Sequence, residues 1–344
     1  MKLAVTGRPF TPKETREEET TLRRALLRLS VALLGVHLAT SGTEAAGNDW
    51  PQRPVRIVAP FAPGGSADTL GRIIARDLTD ALGQPFVVDN RPGAGGLIGA
   101  AQVARAPADG YTLVISGIAS HVIAPATNAG GAEFDGLRDF THIAYLGGPP
   151  VAFVVGPQAT NRSLADVLAA AKGNSTISYA TPGAGTHGAL IGDMFTRLTG
   201  ANMEPIPYRG GGNSMTDLLG GSVEAAFIAI TSAAEPLRER RLHGIAVSSA
   251  ERLRAFPNLP TFRELGYPTL TATTWFGLAG PANLPEPIVE RLNTEVRRIL
   301  AKPEIRARLD ADGIVSPALT APEFKRFVEE EVARWTPLAR ASVR

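Results

Sequence analysis

Two glycine-rich turns, each leading from an apolar run into a helical pattern, carry the residues of this sequence that are best suited to bind an anion. The first turn covers 63–65, and its helix is predicted to begin at Ser66. The second covers 182–185 within the loop 181–188, and the helix that follows is predicted to end at about Leu198. The N–H groups in the first turn of a helix have no acceptor inside the helix, so each turn is predicted to present free donors to an anion. We expect the two turns to form the two sides of one site.

The second turn also matches the dinucleotide-binding fingerprint G-x-G-x-x-G, as Gly183, Gly185 and Gly188. The motif follows a predicted strand and opens a predicted helix, and Glu204 lies about where a ribose-binding acid would be. Taken alone, it predicts an NAD(P)-dependent oxidoreductase. Pro182 directly before the motif is unusual for such a tight turn, so this enzyme is kept as the alternative to a binding protein.

Other signatures of catalysis are absent from the sequence. It contains no G-x-S-x-G, Walker A or H-E-x-x-H motif, and its five histidines are scattered. It contains no cysteine, which excludes disulfides, thiolate nucleophiles, Cys-ligated metals and a lipid-modified N-terminal Cys. We therefore expect no catalytic residue, no metal site and no cofactor.

Several charged or titratable side chains near the turns have two interpretations each. Asp68 most simply compensates the dipole of its helix, and a ligand contact is the second interpretation. His187 either contacts the ligand or supports the loop. Arg91 and Arg209 follow the two turns at similar intervals and could bind a carboxylate, although a structural ion pair is the more common role of such an arginine.

Strand and helix patterns alternate along the chain, which predicts a mixed α/β fold with parallel strands rather than a helical bundle or a β-sandwich. The first turn lies in a predicted strand, helix, strand unit with its helix over 66–82, and the second lies in a similar unit over 176–208. A further strand-like run covers 223–230. Apolar periodicity predicts C-terminal helices over 285–301 and 321–340.

The repeated unit predicts two lobes. Lobe 1 is expected to contain 50–148 and 278–344, and lobe 2 is expected to contain 149–277. The chain would then cross between the lobes near 146–156 and 272–281, and two crossings suit a pair of lobes that closes about a hinge.

The first 46 residues resemble a secretory signal peptide. Three arginines, at 23, 24 and 28, flank the start of an apolar stretch over 26–39, which small residues follow up to Ala46. A buried or amphipathic N-terminal helix is the alternative. Four glutamates, at 14 and 17–19, do not suit a signal peptide, so translation could begin downstream of Met1. An exported chain without a lipid anchor is expected to be free in the periplasm.

The charge balance argues against nucleic acid as a partner. Of the 35 basic and 33 acidic residues, seven and five lie in positions 1–46, so the remaining chain carries 28 of each. A surface without net positive charge lacks the electrostatic attraction on which nucleic-acid binding depends. We expect a small-molecule ligand and a monomer.

Several motifs in sequence order resemble the periplasmic solute receptors of tripartite tricarboxylate transporters, also called Bug receptors. The motifs include Pro60-Phe61-Ala62-Pro63-Gly64-Gly65 with Asp68, and Trp275-Phe276-Gly277 near the end. The others cover 83–96, 109–113, 207–210, 217–221 and 259–266. The resemblance covers about 50–340 and implies a two-lobed, type II periplasmic-binding (Venus-flytrap) fold without catalysis.

The resemblance further implies that the ligand is a small organic carboxylate held between the loops 61–68 and 181–186. Ser116, at the end of a predicted strand, and Ile230, in the segment 228–231, complete the expected site. The candidate ligand-binding residues are Phe61, Ala62, Gly64, Gly65, Ser66, Asp68, Ser116, Thr181, Gly183, Ala184, Gly185, Thr186, His187 and Ile230. Integral-membrane transporter subunits, or a sensor in the case of an orphan receptor, are the implied partners.

Two departures from the family pattern bear on the ligand. The family often has a histidine where this chain has Ala189, and an Asp-Asn-rich segment where this chain has Ile228-Ala229-Ile230-Thr231. The side of the pocket that faces the variable end of the ligand is therefore expected to be less polar. We expect a less polar or aromatic acid rather than citrate.

Overall fold

Two five-stranded sheets, each built around a strand, helix, strand unit, organise the structure. The computed structural model describes residues 50–128, 132–172 and 176–342. The predicted signal peptide, 1–46, lies outside these residues. We call the part of the chain around the first sheet the first lobe, and the part around the second sheet the second lobe.

The first sheet has the strand order β2-β1-β3-β10-β4. Its strands are β1 (Val55–Ala59), β2 (Phe86–Asn90), β3 (Thr112–Gly117), β4 (Phe140–Gly147) and β10 (Phe276–Pro281). Strand β1 is parallel to β2 and β3, whereas β10 is antiparallel to β3 and β4. The carboxyl ends of β1, β2 and β3 therefore lie at one edge, where loops can form a site.

The second sheet has the equivalent order, β7-β6-β8-β5-β9. Its strands are β5 (Val151–Val155), β6 (Ile177–Thr181), β7 (Met203–Pro207), β8 (Ala225–Ala229) and β9 (His243–Val247). Strand β6 is parallel to β7 and β8, and β5 is antiparallel to β8 and β9. The common order confirms a two-lobed α/β fold in which the lobes share one plan.

The helices pack on the faces of the sheets. They are α1 (Ser66–Leu82), α2 (Leu97–Ala104), α3 (Ala124–Thr127), α4 (Leu164–Ala170), α5 (His187–Thr199), α6 (Gly211–Gly220), α7 (Ile230–Arg238), α8 (Glu286–Leu300), α9 (Pro303–Ala311) and α10 (Ala321–Ser342). A π-helical turn, Ala119–Ile123, leads into α3. None of the helices in the described part of the chain has the length and apolar character needed to cross a membrane.

Helix α1 confirms its predicted bounds, because glycines mark both ends. It begins after Gly65, which has extended backbone, and ends at Gly83 in the left-handed conformation (φ 72°). Its polar and apolar residues alternate with helical periodicity, and Leu70, Ile74 and Leu78 are fully buried. The helix therefore packs firmly on the first sheet and holds its N-terminus at the carboxyl edge.

Two predictions about the elements are wrong. The run 223–230 is not one strand, because β8 ends at Ala229 and α7 begins at Ile230. Helix α9, Pro303–Ala311, falls where no element was predicted. The first error affects the site, since the start of α7 lies in the cleft between the lobes.

The chain passes from the first sheet to the second between Gly147 and Val151, and returns between Val247 and Phe276. Near the first crossing, the N–H of Gly148 donates to the carbonyl of Val315 at 2.9 Å. We propose that these two crossings form the hinge. The predicted lobe bounds, 50–148 with 278–344 and 149–277, remain a proposal.

The C-terminal helix α10 contacts both lobes. Phe324 packs against Tyr145 in β4 of the first sheet, with ring centroids 5.8 Å apart. Three turns later, Trp335 packs edge-on against His187 of α5, with centroids 4.8 Å apart. All four rings are buried. The last helix therefore joins the two lobes through buried aromatic contacts at both of its ends.

Candidate functional site

The N-terminal ends of four helices meet in the cleft between the lobes. Helix α1 contributes Ser66 from the first lobe, and α5, α6 and α7 begin at His187, Gly211 and Ile230 in the second. Helix geometry leaves the N–H groups of each first turn without an acceptor inside the helix, and the helix dipole adds partial positive charge there. The cleft therefore concentrates hydrogen-bond donors and positive potential at one place.

A cavity of about 50 Å³ lies among these helix ends, and we call it the inner cavity. Its polar lining consists of hydroxyl groups and one imidazole, from Ser66, Thr186, His187, Ser232 and Thr274. Its other lining residues are Phe61, Gly65, Ala67, Ala119, Pro182, Gly188, Gly211, Ala229 and Phe276. No side chain in this lining is ionised at neutral pH.

A second cavity of about 430 Å³, the outer cavity, shares Phe61 and Pro182 with the inner one. It is lined by backbone-rich segments of both lobes, 92–96 and 182–184, and by the side chains of Ile98, Tyr208 and Arg209. The shared residues place the two cavities side by side. A ligand longer than the inner cavity could extend past Phe61 and Pro182 into the outer one.

The first loop is held in shape by Asp68, whose side chain lines neither cavity. The N–H of Gly64 donates to Oδ2 at 3.1 Å, Asn90 donates to Oδ1 at 3.0 Å, and Arg72 forms an ion pair at 2.9 Å. The same amide of Asn90 donates to the carbonyl of Phe61 at 3.0 Å. Burial alone would raise the pKa of Asp68, but these hydrogen bonds outweigh it and lower the pKa. Asp68 thus positions the loop.

The second loop is shaped by Thr186, the N-cap of α5. Its hydroxyl donates to the carbonyl of Gly183 at 2.7 Å and accepts from the N–H of Ala189 at 3.4 Å. Gly183 has φ 138°, and a Cβ there would lie 2.7 Å from the carbonyl oxygen of Tyr208. Only glycine fits this conformation and this close approach, so the loop runs directly over the end of β7.

Contacts across the cleft bring the two lobes together. The hydroxyls of Ser66 and Thr231 share a hydrogen bond. The N–H of Ala62 donates to the carbonyl of Arg209 at 3.1 Å. A Cβ added to Gly212 would lie 2.4 Å from the carbonyl oxygen of Pro63. The structure is therefore a closed form, in which backbone meets backbone at the rim of the cleft.

His187 lies in the wall of the inner cavity, 1% exposed. Its Nδ1 hydrogen-bonds the hydroxyl of Thr274 at 2.9 Å, and its Nε2 has no partner among the described residues. Burial, with a smaller effect of Arg334, lowers the pKa of His187 to about 3. The imidazole is therefore neutral at physiological pH, so it can bind a ligand by a hydrogen bond but does not attract one by charge.

The structure distributes the predicted site residues over four places. Phe61, Gly65, Ser66, Thr186 and His187 line the inner cavity, and Gly183 and Ala184 line the outer one. Ala62, Gly64 and Gly185 belong to the two loops without lining either cavity. Ser116, Thr181, Asp68 and Ile230 are buried beside the site, and Ile230 packs in the core of the second lobe.

Nine residues that line the inner cavity are not among the candidate ligand-binding residues from the sequence. Gly188 belongs to the fingerprint, Pro182 to the second turn and Gly211 to a predicted loop. Thr274 and Phe276 lie in or beside a recognised motif, which was a usable signal. The remaining four are Ala67, Ala119, Ala229 and Ser232. Ala229 belongs to the segment 228–231, which the sequence placed beside the pocket, whereas Ser232 reaches the cavity from the start of α7, which the sequence did not reveal.

The arginines differ in their surroundings. Arg91 pairs with Asp89 at 2.9 Å, and its side chain is half exposed, so it has a structural role. Arg209 is exposed at the outer cavity and forms no ion pair with a described residue. In the described ranges, no group of three or more His, Asp or Glu side chains is arranged to hold a metal.

The oxidoreductase alternative is not favoured. The fingerprint glycines do follow a strand and lie at the start of α5, but Gly185 approaches another part of the chain closely. A Cβ on Gly185 would lie 3.0 Å from Ala124. The second sheet also contains an antiparallel strand, β5, between β8 and β9, where a dinucleotide-binding sheet continues with parallel strands.

A family model and a curated relative match this chain over most of its length. A family model described as the tripartite tricarboxylate transporter family receptor matches residues 70–342. The chain is 33% identical to protein BugT of Bordetella pertussis over 313 residues, which cover 90% of this chain and 96% of BugT. Both similarities extend over most of the chain.

Solved structures show the same fold. The periplasmic binding protein BugD superposes with a TM-score of 0.80 at 29% identity, covering 85% of this chain and 98% of BugD. An R. palustris protein, Rpa4515, solved with adipate, gives a TM-score of 0.81 at 31% identity over 85% and 98% of the two chains. MatC from Rhodopseudomonas palustris, solved with bound malate, gives 0.80 at 31% identity over 84% and 100%.

Proposed function

Because this chain belongs to the family of tripartite tricarboxylate transporter receptors, we propose that it captures a small organic carboxylate between its lobes and delivers it to membrane subunits of a tripartite-type transporter. The chain is a solute-binding receptor with a two-lobed periplasmic-binding fold. The carboxylate, the transfer to membrane subunits and the periplasmic location are our proposal.

One observation gives the main support for a carboxylate as the ligand. Four helix N-termini point their first turns at a cavity whose lining contains no ionised side chain. A carboxylate would receive N–H donors from α1 and α6, and hydroxyl donors such as Ser66 and Thr186, while the helix dipoles offset its charge. Two relatives with the same fold were solved with carboxylates, adipate and malate.

We further propose that the site performs no chemistry on its ligand. Its imidazole, His187, is held by Thr274 rather than by a carboxylate, and burial keeps it neutral. The lining offers no carboxylate that would orient this imidazole as a general base toward the Thr274 hydroxyl, which is the third group in a catalytic triad. A receptor that delivers its ligand to a sensor instead of a transporter would need the same ligand site. The sensor is therefore an alternative only to the transporter as the partner of this protein.

The segment 228–231 supports a ligand less polar than citrate. Ile228 and Ile230 are fully buried in the core, and Ala229 presents a methyl group to the inner cavity. Phe61, Ala119 and Phe276 extend this apolar surface. We propose that the body of the ligand lies against these groups while its carboxylate meets the helix ends.

A thermal-shift screen of the purified protein tests the proposed function. Acids of different length and polarity, including succinate, adipate, malate, citrate and benzoate, are compared with NAD and NADP. A ligand that binds the native state raises the melting temperature by mass action. We expect shifts with some acids, confirmed by calorimetry, and none with the nucleotides. Shifts with the nucleotides alone would reverse the assignment.

A pair of variants at Gly65 locates the site. Gly65 is the N-cap of α1 with extended backbone, a position where Asp and Asn are both favourable, so both variants are expected to fold. Gly65→Asp places a negative charge at the inner cavity, and Gly65→Asn adds nearly the same bulk without the charge. We expect the Asp variant to bind acids far more weakly than the Asn variant. Equal affinities would remove this loop from the site.

A further inference from the structure

We propose that this receptor selects acids that carry no ammonium group, and that it therefore excludes amino acids. This inference rests on the proposed function, because it names the class of carboxylate that the same site accepts. It follows from the distribution of charge over both cavities.

The inner cavity has no negative charge to offer an ammonium group. Its polar side chains are four hydroxyls and the imidazole of His187, which burial keeps neutral. The first turns of α1, α5 and α6 add partial positive charge. An ammonium placed among them would lose its hydration and face repulsion, without a carboxylate in return.

The charge at the outer cavity is also positive. Among the described residues that line it, Arg209 is the one that carries a charge, and that charge is positive. Tyr208 beside it remains neutral, because burial and the nearby Asp217 raise the pKa of Tyr208 to about 12. An amino acid turned end for end would therefore find no anionic partner for its ammonium in this cavity either.

Two carboxylates that contact the loops of the site, Asp68 and Asp217, are engaged elsewhere. Asp68 accepts hydrogen bonds from Gly64, Arg72 and Asn90 on its two oxygens and lies 5% exposed. Asp217 accepts from the hydroxyl of Tyr208 at 2.7 Å. Neither side chain lines a cavity. Recruiting either to an ammonium would break a bond that holds a loop of the site.

Backbone carbonyls near the cleft are also occupied. The carbonyl of Gly65 accepts from the N–H of Thr69, that of Thr186 from Leu190, and that of Gly210 from Ser214. These bonds close the first turns of α1, α5 and α6. The carbonyls at the starts of these three helices are therefore used inside their own turns, while the N–H groups beside them remain available as donors.

Matched pairs of compounds test the proposal by calorimetry on the purified protein. Each pair differs by one ammonium group: propionate and alanine, succinate and aspartate, glutarate and glutamate, adipate and 2-aminoadipate, 3-phenylpropanoate and phenylalanine. For every pair in which binding is measurable, we expect the acid to bind at least about 100-fold more tightly than the amino acid, since an unpaired buried charge is strongly penalised.

A charge introduced at Ala229 gives the second test. Ala229 lines the inner cavity as the N-cap of α7, a position that favours Asp and Asn alike. Ala229→Asp supplies the missing carboxylate, and Ala229→Asn supplies the same bulk without charge. We expect the ratio of amino-acid to acid affinity to rise by at least about tenfold in the Asp variant relative to the Asn variant.

The outcomes are distinct. Binding of acids with rejection of amino acids, together with the shifted ratio in Ala229→Asp, supports the inference. An amino acid that binds the unaltered protein as tightly as its paired acid overturns the inference and leaves the carboxylate receptor standing. Failure of every acid, in the pairs and in the wider screen, overturns the proposed function and this inference with it.

Discussion

Ser66 at the start of α1 and Thr231 at the start of α7 share a hydrogen bond between their hydroxyls, although 165 residues separate them in the sequence. The two residues belong to different lobes, so the bond exists in the closed form and is lost on opening. Ser66 also lines the inner cavity. We therefore propose that closure and ligand binding depend on the same hydroxyl.

Thr231→Val is expected to weaken ligand binding by roughly threefold to tenfold, the contribution of one hydrogen bond that forms on closure. Valine keeps the size of threonine but offers no hydroxyl to Ser66. Calorimetry with the best acid from the screen measures the effect. Thr231→Ser retains the hydroxyl and should bind close to normally, so equal losses in both variants would argue against the bond across the cleft.

Gly212→Ala is expected to hinder closure without unfolding the protein. The added Cβ would lie 2.4 Å from the carbonyl oxygen of Pro63 in the other lobe, and a backbone atom cannot move aside as a flexible side chain can. Because the lobes can relieve this clash by separating, we expect ligand affinity to fall more than about tenfold while the free energy of unfolding changes by less than about 1 kcal/mol.

Gly220→Ala is the matched control for that variant. Gly220 lies at the other end of the same helix, α6, and a Cβ there meets no atom within 4 Å. Small-angle scattering in the presence of ligand should show a larger radius of gyration for Gly212→Ala than for Gly220→Ala. Identical scattering and affinity would mean that the closed contact between Pro63 and Gly212 is not needed.

Asp68→Asn is expected to lower the free energy of unfolding by about 1–3 kcal/mol, since a buried, hydrogen-bonded charge is replaced. The affinity for the ligand should fall as well, because the loop from Phe61 to Gly65 loses its support. Denaturant unfolding at pH 7 measures the first effect. Asp80→Asn, on the exposed side of the same helix, should change stability by less than about 0.5 kcal/mol.

The depressed pKa of Asp68 fixes how its contribution changes with pH. Its folded pKa lies below the ordinary value of 3.8. The stability it contributes is therefore fully present above that value and is lost as the pH falls through the folded pKa. Above pH 5, the difference in stability between the unaltered protein and Asp68→Asn should be constant.

His187 is expected to make stability fall between pH 6.5 and about 3. Burial lowers its folded pKa to about 3, so below 6.5 the unfolded chain binds a proton that the folded chain does not. The neutral imidazole therefore contributes stability above pH 6.5 that is lost as the pH falls toward 3.

Urea unfolding of His187→Gln between pH 5 and 6 tests this. The carboxylates contribute equally to the two proteins, so the difference between their slopes reports His187. We expect the free energy of unfolding to change with pH less steeply in the variant, by about 1 kcal/mol per pH unit, than in the unaltered protein. His121 and His142, whose pKa values burial also lowers, should retain the rest of the slope. If the free energy of unfolding changed with pH equally steeply in both proteins, His187 would be protonated in the folded state.

The first loop and its helix could be predicted from the sequence because their signals are local. Gly64, Gly65 and Gly83 mark the turn and both ends of α1, and apolar periodicity defines its buried face. The same reasoning identified the second loop around Gly183 and Thr186. These signals depend on backbone conformation and capping, which act within a few residues.

The start of α7 could not be predicted in the same way. Residues 223–230 form a nearly continuous apolar run, because β8 and the first residue of α7 are both buried. The N-cap, Ala229, has no side chain that could cap the helix, so no local residue type marks the change from strand to helix. The sequence indicated the segment 228–231 only through its departure from the family pattern, and the contribution of Ser232 to the site follows from tertiary packing alone.

Asp68 shows why spacing does not determine a role. A carboxylate in the first turn of a helix near an expected ligand site is compatible with both interpretations that the sequence allowed. Its hydrogen bonds to Gly64 and Asn90 place it behind the loop, and Asn90 lies 22 residues away at the end of β2. Only the arrangement of β2 beside β1 brings these groups together.

The contact of Trp335 with His187 makes Trp335 an intrinsic fluorescence reporter of lobe movement. Phe324 fixes one end of α10 on the first sheet, and Trp335 touches the imidazole that lines the inner cavity. If the lobes separate, the indole must either slide over the imidazole or lose it as a neighbour. The intrinsic fluorescence of the unlabelled protein should therefore follow ligand capture, with no probe attached near the cleft.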